Sequence, residues 1–130
     1  MHLPQPSWPR TKDAVLNLAQ NAATYDALTA VGAVLVEAIG FYVDVAGVDL
    51  TSLSVVTNQT NVTTILTTAE GAVASLVIQK NLAFAYSRFP FQLASGQKLR
   101  YIIAGNGTAG SVKMSVVYRP VTQGTPASLV

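Results

Sequence analysis

The stretch Lys98–Pro120, KLRYIIAGNGTAGSVKMSVVYRP, carries the clearest structural signal in the chain. Leu99, Tyr101 and Ile103 alternate with Arg100, Ile102 and Ala104. Val112, Met114, Val116 and Tyr118 then alternate with Lys113, Ser115, Val117 and Arg119. Successive side chains of a strand point to opposite faces, so this period of two predicts two half-buried strands, each with one apolar face. Between them Gly105, Gly107 and Gly110 supply the backbone freedom of a tight connection, which predicts a β-hairpin. Pro120 lacks an N–H for a ladder and ends the second strand.

Working outward, the same kind of signal recurs at short intervals. Asp13–Gln20 holds Val15, Leu16 and Leu18 and predicts a short strand, with a helix beginning near Ala14 as the alternative. Thr29–Gly47 is rich in β-branched residues and contains Gly32 and Gly40, which suits two strands or one strand bent at a bulge, closed by Gly47. Thr51–Thr57, with Leu53 and Val55 on one face, precedes a polar turn at Asn58, Gln59, Thr60 and Asn61. Val62–Thr68, Val73–Ile78 and Leu82–Tyr86 are further candidate strands, with corners at Ala69–Gly71 and at Phe89–Phe91. About eight short strands with turn signals between them predict an all-β, single-domain antiparallel β-sandwich, jelly-roll-like. Residues 1–12, with Pro4, Pro6 and Pro9, read as an extended arm, residues 13–121 as the sandwich, and residues 122–130 as a tail with weak structural signals.

Half of the 130 residues are apolar and only 11% are charged, against roughly one quarter in an ordinary soluble protein. So little charge leaves apolar surface to be covered, and predicts association of the chain with itself. The net charge of +2 is spread along the sequence, which argues against a nucleic-acid partner, since phosphate binding needs a concentrated basic face. The absence of cysteine excludes disulfides and thiolate chemistry. Leu28–Ala46 has the length of a membrane span, but Glu37, Asp44, two glycines and many β-branched residues favour strands, so no membrane partner is expected. Met1–Arg10 lacks the apolar core of a signal peptide.

The motifs that resemble chemistry have simpler structural readings. Gly105–Gly110 matches G-x-G-x-x-G, yet it leads into a strand, where a pyrophosphate cradle requires a helix. Asn58, Asn61 and Asn106 begin Asn-x-Thr triplets and read as turn residues. His2 is the only histidine, so neither a histidine-based triad nor a multi-histidine metal site can be assembled. Asp44 and Asp49 flank Gly47 and read as turn formers. Tyr25, Tyr42, Tyr86, Phe89, Phe91 and Tyr101 would bind sugar if displayed in a row on one sheet, and otherwise pack the core. No catalytic, cofactor-binding or metal-binding residue is therefore assigned, and no cofactor is expected. The interface residues expected from sequence are Trp8, Pro9 and Arg10, because Trp and Arg dominate interface energetics.

The run Ser111–Val121, SVKMSVVYRPV, resembles the final strand of a group of small bacteriophage virion structural proteins, which ends in a Tyr-Lys/Arg-Pro-Leu/Val-like sequence. Val31–Val43, VGAVLVEAIGFYV, is similar to the same group's first long strand pair. The resemblance spans about residues 28–121, and the proline-rich arm departs from its pattern. It implies a non-enzymatic capsid decoration (cement) protein, made in the bacterial host cytoplasm and located on the virion capsid surface. Its implied partners are the major capsid protein and further copies of itself, as a homotrimer. The alternative is a carbohydrate- or receptor-binding module of a phage fibre.

Overall fold

A computed structural model describes residues 8–59, 64–67, 81–84 and 90–130. These residues form strands and connections with no helix: β1 (Arg10–Asn17), β2 (Ala23–Val31), β3 (Val34–Val48), β4 (Ser52–Thr57), β5 (Thr64–Thr67), β6 (Asn81–Phe84), β7 (Phe91–Leu93), β8 (Lys98–Ala104), β9 (Ala109–Pro120) and β10 (Ser128–Leu129). One sheet has the order β1-β9-β3-β6, with the short β7 also on β3, and the other has the order β10-β2-β8-β4-β5. Every pairing is antiparallel.

The pairings follow one rule once the short β7 and β10 are set aside. The first strand pairs with the last, β1 with β9; the second with the second-last, β2 with β8; then β3 with β6 and β4 with β5. The chain is thus one long hairpin, doubled back at β4–β5 and wrapped so that successive pairs lie in alternate sheets. That is a jelly roll, as the strand count and spacing led one to expect.

The wrapping corrects the hairpin expected at Gly105–Gly110. β8 and β9 both exist, with the expected buried faces, but β8 pairs with β2 and β4 while β9 pairs with β1 and β3. Residues 105–108 therefore carry the chain from one sheet to the other. Four residues span up to about 14 Å when extended, enough to cross the roughly 10 Å between packed sheets.

The core lies between the sheets. Leu16, Val34, Val36, Ile39, Phe41, Val43, Val112, Met114, Val116 and Tyr118 from the first sheet meet Leu28, Leu53, Val55, Leu99, Tyr101 and Ile103 from the second. Burying a Val, Leu, Ile or Phe side chain contributes roughly 1.5–3 kcal/mol, so these rows hold the two layers together.

Other boundaries differ from the sequence reading. The 29–47 run is two strands, one of its two readings, meeting at Gly32, where φ is +81°, but the first of them already begins at Ala23. A Cβ there would stand 2.8 Å from the Pro126 carbonyl oxygen. Gly47 does not close the run; β3 continues to Val48, with bulges along its pairing to β9, and the turn comes at Asp49 with φ +71°. β1 begins at Arg10, inside the stretch read as arm, because Arg10–Asn17 pair residue for residue with Tyr118–Ser111. The tail is docked: Ser128 and Leu129 pair with Val31 and Ala30, and Ala127 and Leu129 are buried. The Val73–Ile78 strand and the Ala69–Gly71 corner lie outside the described residues.

Candidate assembly surface

The antiparallel register fixes what meets at each end of the sandwich. Arg10 lies opposite Tyr118, so the chain ahead of it emerges beside the end of β9. There the Val121 N–H donates to the Ala33 carbonyl at 3.1 Å, and Thr29 and Val130 exchange backbone hydrogen bonds of 2.7 and 2.9 Å. Arg10 Nη1 donates to the Ala127 carbonyl at 3.4 Å. These contacts gather Trp8, Val31, Val121 and Val130, with fractional exposures of 68, 53, 38 and 60%. Single exposed apolar residues are ordinary; here four from separate segments share one end, while Val15, Val45, Val48 and Ile102 are exposed elsewhere.

The opposite end is closed by its own hydrogen bonds. The Gly107 N–H donates to Gln20 O at 2.8 Å and the Thr108 N–H to Val48 O at 3.0 Å. Asn106 Oδ1 accepts the Ala22 N–H at 2.9 Å, and Thr108 Oγ1 donates to Asp49 Oδ2 at 2.6 Å. With the Gly107 and Thr108 N–H groups engaged, and strand β9 following, Gly105–Gly110 offers no phosphate cradle. Gly107 is needed for closeness: a Cβ there would overlap the Leu18 carbonyl oxygen. Gly105 and Gly110 have φ of +74° and +131°. Asn58 Oδ1 likewise accepts the Lys98 N–H at 2.7 Å, which makes it a turn residue, whereas Asn61 lies outside the described residues. Asp44 stands exposed on β3 while Asp49 is tied to Thr108, so the two acids do different work. Among the described residues, no three His, Asp or Glu side chains are grouped to hold a metal ion.

Charge on the outer faces is largely paired within the chain. On the first sheet Asp13 Oδ1 accepts the Ser115 hydroxyl at 2.6 Å and Asp13 Oδ2 lies 3.3 Å from Lys113 Nζ. Those two hydrogen-bonding partners, Ser115 foremost, hold the Asp13 carboxyl below its ordinary range. Arg119 grips Glu37 at 2.6 and 3.1 Å. On the second sheet Asp26 takes Lys98 at 2.7 Å and Arg100 at 2.9 Å, and its carboxyl is lowered chiefly by Lys98.

No protein-family model matches the sequence, and no curated protein matches it. A solved structure does resemble the fold. It is a chain of the acid-stable capsid structure of Helicobacter pylori bacteriophage KHP30, with a TM-score of 0.65 and 19% identity over 95% of this chain and 94% of that one. The likeness is one of fold. It runs end to end, so the two chains are nearly equal in length.

Of the interface residues expected from sequence, Trp8 and Pro9 are exposed ahead of β1, and Arg10 is exposed as its first residue. Their neighbours Val31, Val121 and Val130 were not expected. The spacing of Ala127 and Leu129 is the only sequence sign that the tail forms a strand there. Of the candidate sugar-stacking aromatics, Tyr101 is buried and Tyr25 stacks on it with ring centroids 5.3 Å apart. The Tyr25 hydroxyl donates to Asn21 O and the Tyr101 hydroxyl accepts from Gln20 Nε2. Phe91 packs half-buried against the core, Tyr42 is half-buried on β3, and Tyr86 and Phe89 lie outside the described residues.

Proposed function

We propose that this chain is a non-enzymatic structural protein of a bacteriophage virion, a capsid decoration protein that associates with itself and reinforces contacts between subunits of the major capsid protein. The observation that carries the reading is the end-to-end likeness to a chain of an assembled phage capsid, at nearly equal length. Fold by itself does not assign function, because jelly rolls serve capsids, lectins and enzymes alike. Two features of this chain support the capsid role. The low charge matches a molecule that works within an assembly, and among the described residues four of the eight exposed large apolar side chains, Trp8, Val31, Val121 and Val130, lie at one end of the sandwich.

In this mechanism the apolar end seats on a neighbouring subunit and Trp8, Pro9 and Arg10 lie across it. Trp8 offers a large rigid surface, and proline restricts the free arm, so ordering it costs less entropy than ordering a flexible segment. The oligomer we propose is a trimer on the capsid surface, assembled after synthesis in the host cytoplasm. The fibre-module alternative calls for a row of exposed aromatics, and the engagement of Tyr25 and Tyr101 counts against it.

The test is purification of the virion with quantification of this chain against the major capsid protein. A fixed, high copy number is expected, together with binding of the purified chain to undecorated particles. A chain absent from virions, or present in only a few copies and unable to bind such particles, would overturn the decoration role.

A further inference from the structure

The outer face of the first sheet carries a depression of about 470 Å³ lined by Val15, Tyr42, Asp44, Ser111, Lys113 and Ser115. Its origin is legible in the register. Gly40 lies opposite Ser115, which lies opposite Asp13, and in the next row Tyr42 lies opposite Lys113, which lies opposite Val15. Of the lining residues Ser111 and Ser115 are short, whereas Tyr42, Lys113 and Val15 are tall, so small residues make a floor and larger ones a wall, with Gly40 beside Ser115 at the edge. A Cβ built at Gly40 meets no atom within 4 Å, which shows that the space above that position is open.

From this geometry we infer that the depression is a binding site for a neutral pyranose sugar. The volume lies in the range of small-ligand sites. The lining selects the chemistry by exclusion. Asp44 disfavours an anion, Lys113 disfavours a cation, and the polar groups Asp44, Lys113, Ser111 and Ser115 disfavour a purely aliphatic ligand. What suits the set is a molecule with one apolar face for Tyr42 and Val15 and a rim of hydroxyls for the carboxylate, ammonium and serine groups. Lys113 is already held near Asp13 and Ser115 is bonded to it, so part of the site is ordered before any ligand arrives. This site lies on a sheet face, away from the apolar end, and does not depend on the capsid role.

The experiment is a nuclear magnetic resonance titration of the full chain with glucose, galactose, mannose and N-acetylglucosamine, each to high millimolar concentration. Saturable shifts are expected with at least one sugar, confined to amides of Gly40–Asp44 and Ser111–Ser115. Gly40→Leu, which extends a side chain into the open space beside Ser115 without removing a lining group, and Tyr42→Ala should each weaken binding at least about tenfold. Tyr42→Phe should keep most of it, and Ile102→Ser, on the outer face of the other sheet, should leave it unchanged. Circular dichroism of each variant checks the fold. The site is refuted if none of the four sugars gives saturable shifts, if Gly40→Leu and Tyr42→Ala bind as the parent does, or if the same amides shift with protein concentration alone, which would make this face a contact between copies.

Discussion

The two ends of the sandwich are built from the same material, short connections between antiparallel strands, and they solve opposite problems. At the end formed by residues 18–22, 49–51 and 105–108, polar side chains turn back onto the loops: Asn106 onto Ala22, Thr108 onto Asp49, Gln20 onto Tyr101. At the other end the backbone is equally well bonded, through Val121 to Ala33 and Thr29 to Val130, but Trp8, Val31, Val121 and Val130 face outward. The contrast is between polar closure and exposed apolar area. One end ties its loops with polar side chains while leaving Val45 and Val48 partly exposed nearby, and the other exposes Trp8, Val31, Val121 and Val130, apolar area that a second surface would remove from water.

The strongest challenge to this contrast is Gly107→Ala. Its Cβ would overlap the Leu18 carbonyl oxygen, so the loop must move away from β1's continuation, at a cost of about 3 kcal/mol. Urea unfolding should show the midpoint falling accordingly, and a loss below about 1 kcal/mol would mean that the closed end is looser than described.

At the apolar end the expected change is in association rather than in stability. Trp8→Ala combined with Val31→Ser and Val130→Ser should keep the unfolding midpoint close to that of the parent, because surface substitutions usually cost within about 0.5 kcal/mol each. Self-association or particle binding should weaken by at least about tenfold, which light scattering and a pull-down on undecorated particles measure. Truncation should stop at Pro9, since Arg10 pairs with Tyr118. If the triple variant unfolds early and associates normally, the roles of the two ends are reversed.

A smaller effect is expected from Asn106→Ala, which strips the Ala22 N–H of its side-chain partner. About 1 kcal/mol should be lost, with no change in association.

The mildest effect belongs to the faces between the ends. Asp13 and Asp26 are held below the ordinary aspartate value of 3.8. A depressed folded-state value means that their contribution is present above about pH 3.8 and is lost as the pH falls through the folded value. Both carboxylates are exposed and screened, so the acid-side drop is small. Urea midpoints measured from pH 5 downward should show it, and Asp26→Asn should flatten part of it. An unchanged profile in that variant would show that the Lys98 and Arg100 contacts contribute nothing in solution.

Much of the layer structure is legible in the sequence. The alternation in Lys98–Pro120 identified Leu99, Tyr101, Ile103, Val112, Met114, Val116 and Tyr118 as one inward set, and all seven are buried. Of the three glycines read as freeing the connection, Gly105 and Gly110 have positive φ, whereas Gly107 does not and is needed for its closeness to Leu18. The partners of these strands were not legible. An inward-facing row has the same pattern whether its neighbour is the next strand in sequence or one far away, and a four-residue connection serves both a hairpin and a crossing between sheets. The candidate assembly surface was legible only in part. Trp8 and Arg10 stood out by residue type, whereas Val31, Val121 and Val130 were three ordinary valines in separate segments.

Strand class, inward faces and the positions of the turn glycines are written into the chain itself, because side-chain alternation and backbone sterics are local properties that act within a few residues. The closure of β1 on β9 and of β2 on β8, the docking of the tail beside Gly32, the four apolar groups at one end and the depression on one face come from long-range packing. Those outcomes depend on pairings across about a hundred residues of chain. They are selected by how the two apolar faces cover each other, a balance that no short window of sequence contains.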